Sequence, residues 1–144
     1  MSVLQNRITF LGQIIDGSGI HPNPDKVSAI RKIESPENVS DIRRFLGMYN
    51  QLSKFVPNLA DETKPLRDLL RKDCPWTWER PQQDALEKLK RLLSSTPVLA
   101  LYNPNARTIV SADASSHGLG AVLLQEQTNG GVKPVSYIDR KSVV

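Results

Sequence analysis

The sequence predicts an α+β fold, with strands at both ends of the chain and helices between them. Three observations lead to this prediction. Apolar and β-branched residues fill positions 7–15, apolar residues recur at helical spacing between positions 39 and 52, and residues 108–125 have the pattern of two strands joined by a short polar turn. With 144 residues, the chain is long enough for one ordinary domain or for pieces of two larger ones.

The composition sets limits on the compartment and the partners. A net charge of +4 permits a polyanionic partner without requiring one. The single cysteine, Cys74, excludes an internal disulfide and fits a reducing compartment. Residues 1–20 lack the pattern of a secretory signal, and no apolar run approaches the roughly 18–20 residues that span a bilayer. We therefore expect an intracellular protein without a membrane partner.

The N-terminal part is predicted to be a β-hairpin followed by a helix. Residues 7–15 are interpreted as one strand, which the turn sequence at residues 16–19 ends. Asn23, Pro24 and Asp25 then suit the cap and the first turn of a helix, and Pro36 is expected to end that helix.

The next helix is predicted to have two different faces. Its apolar face comprises Val39, Ile42, Phe45, Leu46, Tyr49 and Leu52. On a helical wheel the opposite face collects Arg43, Arg44, Asn50, Gln51 and Lys54. This polar face is either solvated or follows a phosphate backbone, with cations supplying charge and amides supplying neutral contacts.

Two further helices are predicted before residue 97. The first covers residues 58–72 with a kink at Pro65, and the second begins at Pro81 and stops before Pro97. Trp76 and Trp78, in the loop between them, are interpreted as core or lid residues, with base stacking as the alternative.

The C-terminal part is predicted to be a three-stranded antiparallel sheet. The run Ala121–Leu124 is typical of a strand covered on both faces, and Asp113 is expected at the end of an inner strand. A turn at residues 127–131 should lead into a third strand over residues 132–138. The two histidines, His21 and His117, have no nucleophile motif beside them.

Several motifs resemble one family of mobile elements. The string SADASSHGLGAVLLQ at residues 111–125 is similar to the opening hairpin of the ribonuclease H domain in Ty3/gypsy-type retrotransposon polyproteins. Residues 45–47, 55–58 and 97–99, together with Trp78, match the thumb and connection of the reverse transcriptases of that family. The similarity covers about residues 8–137.

The resemblance implies a division of the chain into three parts. Residues 1–22 would be the end of the polymerase palm, where Phe10, Leu11 and Gly12 match a hairpin that grips the primer strand. Residues 23–97 would be the thumb and connection, and residues 98–144 the truncated beginning of a ribonuclease-H-like domain.

The resemblance also implies a metal site, of which one acid is matched. Asp113 corresponds to the first of four acids that hold two Mg²⁺ ions, which such hydrolysis needs about 4 Å apart. Asp139 has no counterpart in the family, and no Asp-Asp pair of a polymerase site occurs. We therefore expect a fragment of the enzyme that does not hold Mg²⁺ stably and is inactive alone.

The expected partners follow from this interpretation. The first is an RNA–DNA hybrid or a template–primer duplex, and the second is the rest of the polyprotein. The alternative is a decayed or domesticated interaction module that uses the open edge of the sheet, including self-association.

Overall fold

The structure is a computed structural model that describes residues 7–10, 12–115 and 118–141, without the side chains of residues 113, 115 and 139–141. It confirms the α+β class. In chain order the strands and helices are β1 (Arg7–Phe10), β2 (Gln13–Asp16), β3 (Gly19–Pro22), α1 (Pro24–Arg31), α2 (Val39–Asn50), α3 (Leu59–Arg67), α4 (Arg80–Leu92), β4 (Thr108–Ser115), β5 (Gly118–Glu126) and β6 (Val132–Lys141).

The N-terminal strands form a three-stranded antiparallel sheet in the order β1-β2-β3. The prediction of one continuous strand over residues 7–15 is wrong, because the chain reverses direction between Phe10 and Gln13. Gly12 makes this possible with a φ of 76°, a backbone conformation that residues with a Cβ rarely adopt. The predicted turn at residues 16–19 is confirmed, since Asp16 at the end of β2 pairs with Gly19 at the start of β3.

Side-chain caps begin the first two helices. The side-chain oxygens of Asn23 and Asn38 accept hydrogen bonds from the backbone N–H groups of Asp25 and Asp41, both at 2.9 Å. Helix α1 ends at Arg31, so the expected end at Pro36 is wrong. The later pair of helices is shorter than predicted, since α3 ends at Arg67 and α4 at Leu92.

The core lies among the helices, with α2 at its centre. The Tyr49 hydroxyl, fully buried, donates a 2.7 Å hydrogen bond to the Leu89 carbonyl of α4. The predicted apolar face of α2 is confirmed at the four positions of that helix that are buried, which are Ile42, Phe45, Leu46 and Tyr49. The largest fully buried side chains of the core are Tyr49, Phe45, Phe55, Ile30, Ile42, Leu52, Leu66, Leu86, Leu89 and Leu99.

The C-terminal strands form a second antiparallel sheet in the order β4-β5-β6, and the predicted turn at residues 127–131 is confirmed. Within the described residues β4 pairs only with β5, and Asp113 lies two residues before the end of β4. Residues 121–124 are only half-buried, which contradicts the prediction of a strand covered on both faces. Their apolar character fits one covered face.

A two-residue segment connects the two sheets. Ile20 and Leu99 exchange both backbone hydrogen bonds, at 2.7 and 3.0 Å, and the N–H of Ala100 donates to the Pro134 carbonyl of β6 at 2.8 Å. We call residues 99–100 the bridging segment. It connects β3 to β6 through backbone hydrogen bonds. In the part of the chain that the structure describes, no helix is long and apolar enough to cross a membrane.

Candidate nucleic-acid interface

The exposed face of α2 is the strongest candidate for contact with a polyanion. Burial of the opposite face in the core forces Arg43, Arg44 and Asn50 outward, and the C-cap residue Gln51 is exposed beside them. Gly47 lies on the same face, and a Cβ built on it would meet no atom within 4 Å. The packing of the chain therefore does not require a glycine there.

The two arginines of this face have different surroundings. Arg44 lines a recess of about 290 Å³ together with Glu34, Glu37 and Asp41. Three carboxylates thus share this recess with Arg44, whereas Arg43 does not line it. Arg43 is consequently the better placed of the two to meet a phosphate group.

Lys54 does not lie on α2, contrary to the single continuous wheel that the sequence suggested. The helix ends at Asn50, and Lys54 belongs to a 3-10 helix over Ser53–Phe55. Its Nζ lies 5.8 Å from the centroid of the Phe55 ring, and partial burial lowers the pKa of this ammonium group. Lys54 is thus a packed residue as well as a charged one.

Asn50 lies at the end of α2 beside a smaller recess. That recess, of about 170 Å³, is also lined by Ser53, Thr63 and Arg67. The Arg67 guanidinium is already engaged, since it donates to the Thr63 hydroxyl at 3.0 Å and to the Ala60 carbonyl at 2.5 Å. The amide of Asn50 is therefore the group on this rim that remains exposed for a neutral contact.

The predicted primer-grip residues lie at the reversal between β1 and β2. Phe10 is exposed over 58% of its surface, and Leu11 lies outside the described residues. A Cβ on Gly12 would stand 2.5 Å from the Lys26 ammonium, so α1 packs closely against this turn. An exposed aromatic ring such as that of Phe10 is a surface on which a nucleic-acid base can stack.

Asp113 lies on β4, where its backbone pairs with Gly120 of β5. Gly120 pairs on its other side with Asp139 of β6, so the three residues occupy one row across the sheet. The side chains of both aspartates lie outside the described residues. Among the residues that are described, no group of three or more His, Cys, Asp or Glu side chains could hold a metal ion.

The two tryptophans stack on one another. Their ring centroids are 5.9 Å apart with an interplanar angle of 13°, and the Trp78 indole N–H donates to Gln83 at 2.8 Å. Trp78 packs against the core, which confirms that part of the interpretation, whereas Trp76 is partly exposed.

A cluster of Asp16, Ser18 and His21 was not anticipated from the sequence. Ser18 Oγ and His21 Nε2 lie 2.6 and 3.0 Å from the same carboxylate oxygen of Asp16, and 3.0 Å from one another. In a hydrolytic triad the hydroxyl and the carboxylate bind opposite nitrogens of the imidazole ring. Here both use Nε2, so the cluster is a turn-stabilising network and not a nucleophile site.

Comparison with known proteins identifies a family. Residues 78–143 match the family described as the RNase H-like domain found in reverse transcriptase. The Transposon Tf2-3 and Tf2-4 polyproteins of Schizosaccharomyces pombe are each 34% identical to the chain over 137 residues, which are 95% of it. The chain spans about a tenth of the length of these relatives.

Solved structures show the same fold. The foamy viral protease-reverse transcriptase dRH in complex with ds DNA aligns with a TM-score of 0.81 at 25% identity, over 97% of this chain and 25% of that one. The foamy viral protease-reverse transcriptase in complex with RNA/DNA hybrid aligns with a TM-score of 0.79 at 24% identity, over 99% of this chain and 19% of that one. Over residues 78–143 the chain therefore matches the RNase H-like domain found in reverse transcriptase, and over nearly its whole length it is similar to a segment of Ty3/gypsy-type Tf2 transposon polyproteins.

Proposed function

We propose that this segment holds a template–primer duplex or an RNA–DNA hybrid against the exposed face of α2. The observation that carries the proposal is a helix whose other face is fully buried, which leaves Arg43, Gly47, Asn50 and Gln51 on one surface. Positive charge neutralises phosphates, and side-chain amides add uncharged hydrogen bonds to phosphate or sugar oxygens. The foamy viral structures support this assignment because they are complexes with ds DNA and with RNA/DNA hybrid.

The absence of a side chain at Gly47 leaves room on the exposed face of α2. A glycine in the middle of a helix costs about 1 kcal/mol relative to alanine, and no neighbour in the described chain occupies the space its Cβ would fill. We infer that the flat patch at Gly47 lets the sugar–phosphate backbone approach the helix axis. Arg43 and Asn50 lie one turn before and one turn after it.

Fluorescence anisotropy with a labelled RNA–DNA hybrid tests this proposal. Gly47→Leu should stabilise the helix and yet weaken binding by about tenfold, an effect that a purely structural glycine would not produce. Arg43→Ala should lower the slope of log affinity against log salt by about 1 between roughly 50 and 200 mM salt.

Arg80→Ala is the matched control, because Arg80 is an exposed helical arginine paired only locally, with Asp84 at 3.4 Å. Absence of hybrid binding at low salt, or equal losses in Arg43→Ala and Arg80→Ala, would contradict the proposal.

We further propose that the 144-residue chain does not cleave the hybrid by itself. Magnesium is held by several oxygen ligands, and Asp113 is the one residue here that matches an acid of the family's metal site. The described residues offer no set of side chains that fits the ion, so we derive no catalytic step through it. Hybrid cleavage in Mg²⁺ or Mn²⁺ that Asp113→Asn abolishes would refute this proposal.

The second candidate function is protein interaction through the C-terminal sheet. Among the described residues the edge strand β4 pairs only with β5, and Val110 on it is exposed over 62% of its surface. Leu119 and Ile138 are also exposed. Such edges favour pairing with another strand, including a second copy of the chain. Light scattering over a concentration series checks this, and a monomer at every concentration would count against it.

A further inference from the structure

A recess between the N-terminal sheet and α1 has the features of a ligand site. Its volume is about 710 Å³, which lies within the roughly 300–1,000 Å³ typical of small-molecule sites. Its walls come from β1, β2, β3 and both ends of α1, and no residue of α2 lines it.

The rim of this recess is cationic. Arg7 of β1 and the consecutive residues Arg31 and Lys32 at the end of α1 line it, and all three side chains are exposed. No described residue forms an ion pair with any of them. Arg31 is held in place by a 2.6 Å hydrogen bond from Nη2 to the Ser94 hydroxyl, which uses one of its five N–H donors.

The one carboxylate that lines the recess is already engaged. Asp16 accepts hydrogen bonds from the Ser18 hydroxyl at 2.6 Å and the Ser18 backbone N–H at 2.9 Å, and His21 Nε2 lies 3.0 Å from the same oxygen. These contacts engage the Asp16 carboxylate with residues of its own β2–β3 hairpin. Three cations therefore face the recess against one carboxylate that has local partners.

The floor of the recess is apolar. Ile14, Val27, Pro22 and Pro24 line it, and Ser28 adds a hydroxyl at its side. An apolar floor under a cationic rim is complementary to a molecule that joins a flat apolar group to a phosphate. Inorganic phosphate would leave the floor uncovered, and a neutral aromatic molecule would leave the rim without a partner.

We propose that this recess binds a phosphate monoester that carries a flat ring, which is the chemistry of a mononucleotide. Arg7 and Lys32 contact the phosphate, Arg31 is a pre-oriented third donor, and the ring lies against Val27 and the two prolines. A free nucleotide and the end of a nucleic-acid strand both offer this chemistry. The site is separate from the α2 face, and neither proposal requires the other.

Isothermal titration calorimetry on the full chain at low salt tests the site with adenosine monophosphate, adenosine and inorganic phosphate. The monophosphate should bind at least about tenfold more tightly than either of the other two. The double variant Arg7→Ala, Lys32→Ala should weaken that binding by about tenfold or more. Ser28→Trp, which fills the recess without changing its charge, should abolish it.

The charge-matched control is the double variant Arg80→Ala, Arg91→Ala, which removes two exposed cations from α4. It should change the affinity by less than about twofold. Thermal melts of each variant separate a loss of binding from a loss of folding. Because the double variant removes charge and Ser28→Trp fills the recess, either one tests the site if the other does not fold.

Competition with nucleic acid distinguishes the two sources. Displacement of the monophosphate by a duplex with a single-stranded overhang, but not by a blunt duplex, would assign the site to a strand end. Failure of both to displace it would assign the site to a free nucleotide. Equal binding of adenosine and its monophosphate, no binding at all, or an equal loss in the α4 control would overturn the proposal.

Discussion

The helical region and the C-terminal sheet of this chain are stabilised in different ways. Helices α2, α3 and α4 enclose fully buried side chains such as Phe45, Tyr49 and Leu89. Among the described side chains of the sheet β4–β6, Gln125 and Val135 are buried, and the apolar Val110 and Leu119 are exposed. The helices depend on hydrophobic burial, whereas the sheet depends on its backbone hydrogen bonds and on the surface it places against the helices.

The chain thus combines a well-packed helical core with a sheet that is more exposed to solvent. The buried face of α2 fixes the orientation of its outer face, which is where we propose that nucleic acid binds. The sheet is held at a few points, which include the bridging segment and the buried Gln125. The side-chain oxygen of Gln125 accepts a hydrogen bond from the Asn103 N–H, and its NH2 group donates one to the Asn103 carbonyl, both at 2.8 Å.

The largest expected effect tests the difference in burial between the helical region and the C-terminal sheet. Phe45→Ala should lower the free energy of unfolding by about 3–5 kcal/mol, because it leaves a cavity in the centre of the core. Val110→Ala should change it by less than about 0.5 kcal/mol, because that side chain is exposed. Urea titrations provide both values, and similar losses would show that the sheet carries as much burial as the helices.

The next effect tests whether the two regions are coupled. A Cβ on Gly19 would stand 2.3 Å from the Leu99 carbonyl oxygen, and Gly19 has a φ of 135°. Gly19→Ala should therefore cost about 1–3 kcal/mol and accelerate hydrogen exchange in β6, since the bridging segment joins β3 to that strand.

Gly17→Ala is the matched control for Gly19→Ala. Its Cβ would meet no atom within 4 Å, and we expect no loss of stability. Unchanged exchange in β6 of the Gly19 variant would show that the sheet is held independently of the bridging segment.

A smaller effect concerns one hydrogen bond in the core. Tyr49→Phe should cost about 1–2 kcal/mol, because it leaves the Leu89 carbonyl buried without its donor. Burial, and secondarily the charge of Glu62, raise the pKa of the Tyr49 hydroxyl. Its contribution to stability is complete below the ordinary tyrosine pKa of about 10 and is lost as the pH rises above that value.

Denaturation curves from neutral to alkaline pH check this prediction. The wild-type chain should lose more stability than Tyr49→Phe as the pH rises. If the stability of the two proteins fell equally with rising pH, groups other than the Tyr49 hydroxyl would cause the loss of stability at alkaline pH.

The smallest effect lies in the N-terminal sheet. Hydrogen bonds from the Ser18 and His21 side chains hold the pKa of Asp16 well below its ordinary range. The stability that this carboxylate contributes is present above about pH 4 and is lost as the pH falls further. Asp16→Asn should therefore be less stable than wild type at neutral pH and should approach it in acid. Circular dichroism against pH measures this, and a constant difference would contradict it.

Local sequence patterns were sufficient for much of the fold and for part of the site. The apolar spacing of α2 determined which face is buried and hence placed Arg43 and Asn50 on the outside. The helical wheel misplaced Lys54, because it treats residues 39–54 as one continuous helix whereas α2 ends at Asn50. No spacing signal could have joined Arg7 to Lys32, since they come from a strand and a helix end that only the folded chain brings together.

The sequence by itself determined the order of the four helices, the cap at Asn23 and the turn before β6, because these depend on neighbouring residues whose side chains and φ angles act within a few positions. Only the tertiary structure decided that the chain reverses at Gly12 and that residues 99–100 connect the two sheets. These features depend on contacts between distant parts of the chain, whose free energy is gained only when the whole core is assembled.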